Sequence, residues 1–315
     1  MLHRRALLAI PGLAHAQWAP SRPVRIIVGF SAGGGTDITT RTLAARLQAS
    51  LGQPIVVENR PGASGNLSTE MVVRAPPDGH TLLMGTIAAL AINPTLFRNL
   101  PFDPRTDLAP ISLAGDILNV LVCAPEKPFA DFAGLLAAAR ARPGTLSNGH
   151  SGIGGSGHLA GALLDRMAGI ETIQVPYRGG GSLIADSLSG KVDFSFATAS
   201  TTLAAIEVGR LRALALPTAG RSALLPGLAT VGGALPGYAV ANWNALLGPP
   251  GLAPEMVATL NRAMRDALAD PGVSASLRRH GVEPSPSSPE ELGRFIRDET
   301  AKWAPVIRAS GATVD

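Results

Sequence analysis

Short β-branched apolar runs alternate with stretches of helical periodicity along the chain, the order expected of an α/β protein. Residues 25–30 (RIIVGF) read as a strand, 31–35 as a small-residue loop, and 37–51 as a helix with Ile38, Leu43, Leu47 and Leu51 near one face. Gly52 stops that helix, and Thr36 or Asp37 can cap its start. The unit recurs as strand 55–58, loop 59–65, helix 66–74 and strand 81–85. Residues 119–123 (NVLVC) read as a buried strand able to cross into a second domain. There the pattern repeats: helix 131–140, strand 145–148, a Gly/Ser loop over 149–157, helix 158–167, and strands at 173–177, 192–197 and 211–216. Residues 239–247 can carry the chain back. Two further helices are signalled, one opening at Pro254 and one at the capping box Ser288-Pro289-Glu290-Glu291. Pro305 is expected to kink or end the second early.

Charge and composition narrow the class. The chain has 315 residues, enough for two domains, with 46% hydrophobic and 16% charged residues. Basic His3-Arg4-Arg5, the apolar stretch 6–13 and Ala14-His15-Ala16 have the order of an export signal over residues 1–16. The formal net charge is +4, and that leader holds two arginines and no acid, so the remainder sits at +2. With no long Lys/Arg run and 4% aromatics, nucleic acid is not an expected partner. No later segment has the ~18 uninterrupted apolar residues of a membrane span. The single cysteine, Cys123, rules out an internal disulfide and reads as a buried strand residue. The expected division is a signal peptide (1–16), one domain from 17–118 with 240–315, and a second from 119–239.

Where strands give way to helices the chain is rich in glycine and hydroxyls: SAGGGTD at 31–37, PGASG at 61–65, SGIGGS at 151–156 and GGGS at 179–182. Ligands of α/β sheets bind beyond the carboxyl ends of the strands. Glycine lets the main chain approach a ligand, and helix N-termini offer unpaired N–H groups with partial positive charge. Four such loops, two in each half, point to a shared anion-binding cleft. Enzyme motifs fail by comparison. Gly152-x-Gly154-x-x-Gly157 matches the dinucleotide fingerprint by letter, but the strand at 173–177 ends without the ribose-binding acid. The nucleophile elbow and the Walker A sequence are missing, and His150 and His158 lack further ligands at metal spacing. His158 reads as a helix-start residue, Asp37 as a cap that can also meet a ligand amine or hydroxyl, and Asp193 as structural.

Several long motifs resemble the Bug-type periplasmic solute receptors, the substrate-binding proteins of tripartite tricarboxylate transporters. They include PVRIIV (23–28), GGGTD (33–37) with Arg41, VENRPGA (57–63) and PDGHTLLMGT (77–86). In the second half they are GSGHLAG (155–161), VPYRGG (175–180) and GKVD (190–193). The resemblance implies a type II periplasmic binding fold: two hinged α/β lobes that close on a carboxylate and deliver it to a membrane permease. It implies no cofactor, no metal and a monomer in the periplasm. Its ligand loops map onto Ala32, Gly33, Gly34, Thr36, Asp37, Ser64, Gly65 and Thr86 in the first lobe. In the second they map onto Ser151, Gly152, Ser156, Gly179, Gly180 and Thr198. Ser64 stands where relatives commonly show a second glycine. Two other readings compete: a ligand-binding component of a sensor system, and a carboxylate-handling enzyme, disfavoured for want of a nucleophile–base pair.

Overall fold

The computed structural model describes residues 18–310 and 313–314, so the leader expected at 1–16 lies outside the described residues. Among the described residues eleven strands form two sheets. Those of the first are β1 (Val24–Val28), β2 (Ile55–Asn59), β3 (Thr81–Thr86) and β4 (Ala109–Ile117), with two late strands described below. The second holds β5 (Asn119–Cys123), β6 (Ser147–His150), β7 (Ile173–Pro176), β8 (Phe194–Thr198) and β9 (Arg212–Ala215). The chain then returns to the first sheet as β10 (Trp243–Gly248) and β11 (Val282–Pro284). The fold is α/β with two lobes.

Each sheet is built on the same logic. In the first, of order β11-β4-β10-β3-β1-β2, the chain leaves β1 toward β2 and comes back to β3 on the other side of β1, all three parallel. In the second, of order β7-β6-β8-β5-β9, β6 is likewise flanked by β7 and β8 in parallel. Such a reversal of strand order leaves a crevice at the carboxyl edge, because the connections on either side diverge to opposite faces. The crossing strands are antiparallel to their neighbours: β10 pairs with β3 and β4, and β5 with β8 and β9. Only Leu118 separates β4 of one sheet from β5 of the other.

Burial explains why these runs are strands. All five residues of β5 and all six of β10 are buried, which suits continuous apolar stretches covered on both faces. Cys123, in β5, is 1% exposed, and burial raises its thiol to about 11. The helix Gly35–Leu51 places Leu43, Leu47 and Leu51 in the core and ends at Gly52 in the left-handed region at φ 70°.

Several local expectations shift. Helix Gly35–Leu51 has Gly34 as its N-cap, so Thr36 and Asp37 lie inside its first turn and do not cap it. Strand β6 runs two residues further than 145–148, taking Gly149 and His150 out of the loop. The GGGS run at 179–182 opens a helix, Gly180–Leu188, and a further unanticipated helix spans Ala199–Glu207. The capping box at Ser288 forms as expected: Glu291 N–H donates to Ser288 Oγ at 3.1 Å, and Ser288 N–H donates to Glu291 Oε2 at 2.8 Å. Pro305 does not end its helix, which continues to Ser310. A mid-helix proline costs about 3 kcal/mol, and burial of Trp303 and Ile307, each 1% exposed on either side of it, offsets that loss.

Candidate functional site

The two carboxyl-edge crevices face one another and enclose a cavity of about 70 Å³. Four helices begin at its wall: Gly35–Leu51 from the first lobe, and Ser156–Ala168, Gly180–Leu188 and Ala199–Glu207 from the second. Their N-caps are Gly34, Gly155, Gly179 and Thr198, and none makes a side-chain cap hydrogen bond. Each first turn therefore keeps orphan N–H groups, whose partial positive charge is directed at the cleft. The glycines also let the lobes approach: a Cβ at Gly35 would lie 3.3 Å from Ser200 Oγ, and one at Gly179 would lie 3.3 Å from Ser31 Oγ.

Hydroxyls and amides complete the wall. Thr36, Thr86, Ser151, Ser156, Thr198 and Thr201 line the cavity, as do Asn119 and Asn242 at the inter-lobe crossings. Asn242 Nδ2 donates to Asn119 Oδ1 at 3.1 Å, and Asn119 Nδ2 donates to Ser156 Oγ at 2.9 Å. This chain ties the crossing strands to a helix start. Below it, Asn244 Nδ2 donates to Thr36 Oγ1 at 3.1 Å, while the buried Thr86 Oγ1 has no hydrogen-bond partner. Among the described residues no Asp, Glu, Lys, Arg, His or Cys lines the cavity. An anion here meets dipoles and donors in place of a counter-charge, and no lining side chain can act as a general base.

Of the residues expected from sequence, Gly34, Thr36, Thr86, Ser151, Ser156, Gly179, Gly180 and Thr198 meet at this cavity. Ala32, Gly33, Asp37, Ser64, Gly65 and Gly152 do not line it. The Asp37 carboxylate is spent on its own lobe: it accepts from Gly33 N–H at 2.9 Å, Arg41 Nε at 2.9 Å and Asn59 Nδ2 at 2.9 Å. Desolvation pushes its pKa up, but the hydrogen bonds from Arg41, Gly33 and Asn59 outweigh that and hold it below the usual value. Ala32 and Gly33 are exposed on the loop that this network braces. Ser64 Oγ reaches across the lobes to the Ile153 carbonyl. Asn93 Nδ2 donates to the Ser64 carbonyl at 3.2 Å.

The sequence pattern did not single out Asn119, Asn242 or Thr201, and Ser31 entered only as the first residue of the SAGGGTD loop. Asn119 carried a usable signal, a polar residue opening an otherwise apolar strand; Asn242 becomes a wall residue only because two distant strands cross beside each other. The histidines act behind the wall. His150 Nδ1–H donates to the Gly152 carbonyl at 2.9 Å, and His158 Nδ1 accepts from Gly154 N–H at 3.2 Å. Their rings lie 4.7 Å apart. Desolvation first, and then the neighbouring His158, lowers the His150 pKa to about 4; desolvation also lowers that of His158. Asp193 is structural, held by Lys127 Nζ at 2.7 Å and by Ser147 N–H at 2.8 Å. Among the described residues no cluster of three metal-ligating side chains occurs.

Comparison with known proteins gives concordant matches. Residues 39–312 match the family model described as tripartite tricarboxylate transporter family receptor. Protein BugT of Bordetella pertussis is 35% identical over 310 residues, 97% of this chain and 95% of that protein. Among solved structures, R. palustris Rpa4515 with adipate is 35% identical with a TM-score of 0.90, covering 94% of this chain and 99% of the other. MatC (Rpa3494) from Rhodopseudomonas palustris with bound malate is 29% identical with a TM-score of 0.86, covering 91% and 99%.

Proposed function

The chain belongs to the tripartite tricarboxylate transporter receptor family, and from that premise we propose that it captures a small carboxylate in its interdomain cleft and delivers it to membrane permease subunits. Receptors of this family are periplasmic solute-binding proteins, not enzymes. Export through the 1–16 leader, a monomeric state, and lobes bounded at 17–118 with 240–315 and at 119–239 belong to this reading. The relatives whose structures hold adipate and malate support a carboxylate as the ligand.

One observation carries the reading: four uncapped helix N-termini converge on a cavity without a charged side chain. That arrangement favours a negative group and penalises a cation, which would find no carboxylate there. Gly34, Thr36, Thr86, Ser151, Ser156, Gly179, Gly180 and Thr198 are the proposed contacts. Ala32, Gly33, Asp37, Ser64, Gly65 and Gly152 are proposed to shape the loops that present them. Closure brings both lobes' donors to one carboxylate and creates the shape a permease selects.

A thermal-shift screen of protein unfolded and refolded to strip ligand tests this, using small carboxylates beside their amides and esters. Ligand at 100 times its Kd adds about 2.7 kcal/mol. A shift by an acid that its amide does not reproduce is the expected result. Equal shifts by acid and amide would remove the anion site from consideration.

A further inference from the structure

The lobes touch where the chain crosses between them. Leu118, the single residue between β4 and β5, is bonded to both sides. Its N–H donates to the Gly281 carbonyl of the first lobe at 2.7 Å, and its carbonyl accepts from Ala199 N–H of the second at 2.7 Å. Gly281 turns the chain from the helix Pro271–Arg279 into β11, and Ala199 is the first residue of the helix Ala199–Glu207. Both are buried, Ala199 at 0% exposure.

No side chain fits at Gly281. A Cβ there would overlap the Cβ of Ala199, a methyl fixed to the helix backbone that cannot swing aside. The Cα of Ala199 lies at 3.4 Å from the same point, ordinary contact distance, so the conflict is with that one methyl. The helix start seated there belongs to the cavity wall. Thr198 precedes Ala199, Thr201 follows it by two residues, and both line the cavity, with their Oγ1 atoms 3.1 Å apart. Gly35, on the same side of the first lobe, allows the second close approach, toward Ser200 Oγ.

We infer, resting on the receptor reading above, that Gly281 is the seat on which the helix start Ala199–Thr201 comes to rest, and that this seat sets how far the lobes close on a ligand. Gly281 is a positioning residue. It lies outside the cavity lining and acts by admitting Ala199 until Thr198 and Thr201 reach the wall. A side chain at 281 holds the second lobe off the first, and affinity falls with the fraction of molecules able to close.

Calorimetry and small-angle X-ray scattering test this on ligand-stripped wild type, Gly281→Ala, Ala199→Gly and the double variant. The probes are adipate, malate and the other acids of the thermal-shift panel. Gly52→Ala is the control, because Gly52 has a similar left-handed backbone at φ 70°, against 73° at Gly281, and nothing within 4 Å of a Cβ. Gly281→Ala is expected to weaken binding by about ten- to a hundredfold, the range for overpacking a buried contact, and to enlarge the ligand-free radius of gyration. Adding Ala199→Gly removes the overlapping methyl, restores the radius and returns affinity to within about threefold of wild type. Gly52→Ala lowers the urea midpoint and leaves affinity unchanged, which separates backbone strain from the seat. Where Gly281→Ala fails to fold, Ala199→Val enlarges the same contact from the other lobe without strain in φ, and the same losses are expected of it. Wild-type affinity or an unchanged radius in the enlarged variant, or a double variant no better than Gly281→Ala, overturns the seat and leaves the receptor reading standing. A wild type that binds no acid of the panel fails the receptor reading, and the scattering series, which needs no ligand, still decides the seat.

Discussion

Asp37 shows how a conspicuous acid in a ligand-loop motif serves architecture. Its carboxylate joins Gly33 N–H, Arg41 and Asn59, which locks the loop between β1 and its helix to the end of β2. Asp37→Ala is therefore expected to cost roughly 2 kcal/mol, as for loss of charged hydrogen bonds, read as a lower urea midpoint. An unchanged midpoint would return Asp37 to the role of ligand contact. Since its folded pKa is depressed, its contribution is present above the unfolded value and fades as pH falls through the folded one. Two other groups oppose each other in mild acid. His150 falls from 6.5 to about 4, so on this account stability is lost as pH drops from about 6.5 to about 4. Asp165, partly buried, rises from 3.8 to about 6 because desolvation outweighs its bonds from Thr172 and Gln174. It gains a proton on folding in that window and so stabilises toward acid. Asp165→Asn leaves the His150 contribution unopposed, and the variant should lose about 3 kcal/mol between those limits. Chemical denaturation across pH 4 to 6.5 measures it, and a flat profile in the variant would refute the assignment.

At the scale of elements, the site is a meeting of helix starts. Gly157 shows the tolerance: a Cβ there would lie 2.5 Å from the Phe196 carbonyl of β8. Gly157→Ala must push the helix Ser156–Ala168 off that strand, at about 1–3 kcal/mol for overpacking, and move Ser156 out of the wall. A matched loss of stability and ligand affinity is expected; wild-type affinity in calorimetry would mean the helix start does not position a contact. The same element-level view gives a pH expectation. Because no titratable side chain among the described residues lines the cavity, and burial lowers the pKa of both His150 and His158 behind it from their ordinary value, affinity should stay constant from about pH 7 to 9. A tenfold change within that range would place an unrecognised ionisable group at the ligand. The helices Gly180–Leu188 and Ala199–Glu207 were hidden in sequence because each is short, and Gly180 and Gly181 have the lowest helix propensity after proline. Only packing against the second sheet makes them helical.

Across the whole molecule, a few polar bonds join the lobes, and the proposed closure would rest on them. Ser64, at φ 53° in the left-handed region, reaches the Ile153 carbonyl, and Ser31 reaches that of Arg178. Ser64→Gly relieves the backbone strain while removing the cross-lobe bond. Ligand-free melting should therefore change little, and ligand dissociation should speed up several-fold, about 1 kcal/mol for one net hydrogen bond. Stopped-flow release checks this; an unchanged off-rate would show that the bond is irrelevant to closure.

The sequence by itself determined the α/β class, the strands near 25–28, 55–58, 81–85 and 119–123, the capping box at Ser288, and the glycine-rich loops as anion-binding candidates. Those signals are local: a β-branched run, a helical period, a glycine beside a hydroxyl. The tertiary structure alone decided that Asn119 and Asn242 meet, that Asp37 turns from the cavity and that the helix runs through Pro305. Each depends on which distant strands lie side by side and on what burial leaves available, and neither is written in a residue's own neighbours.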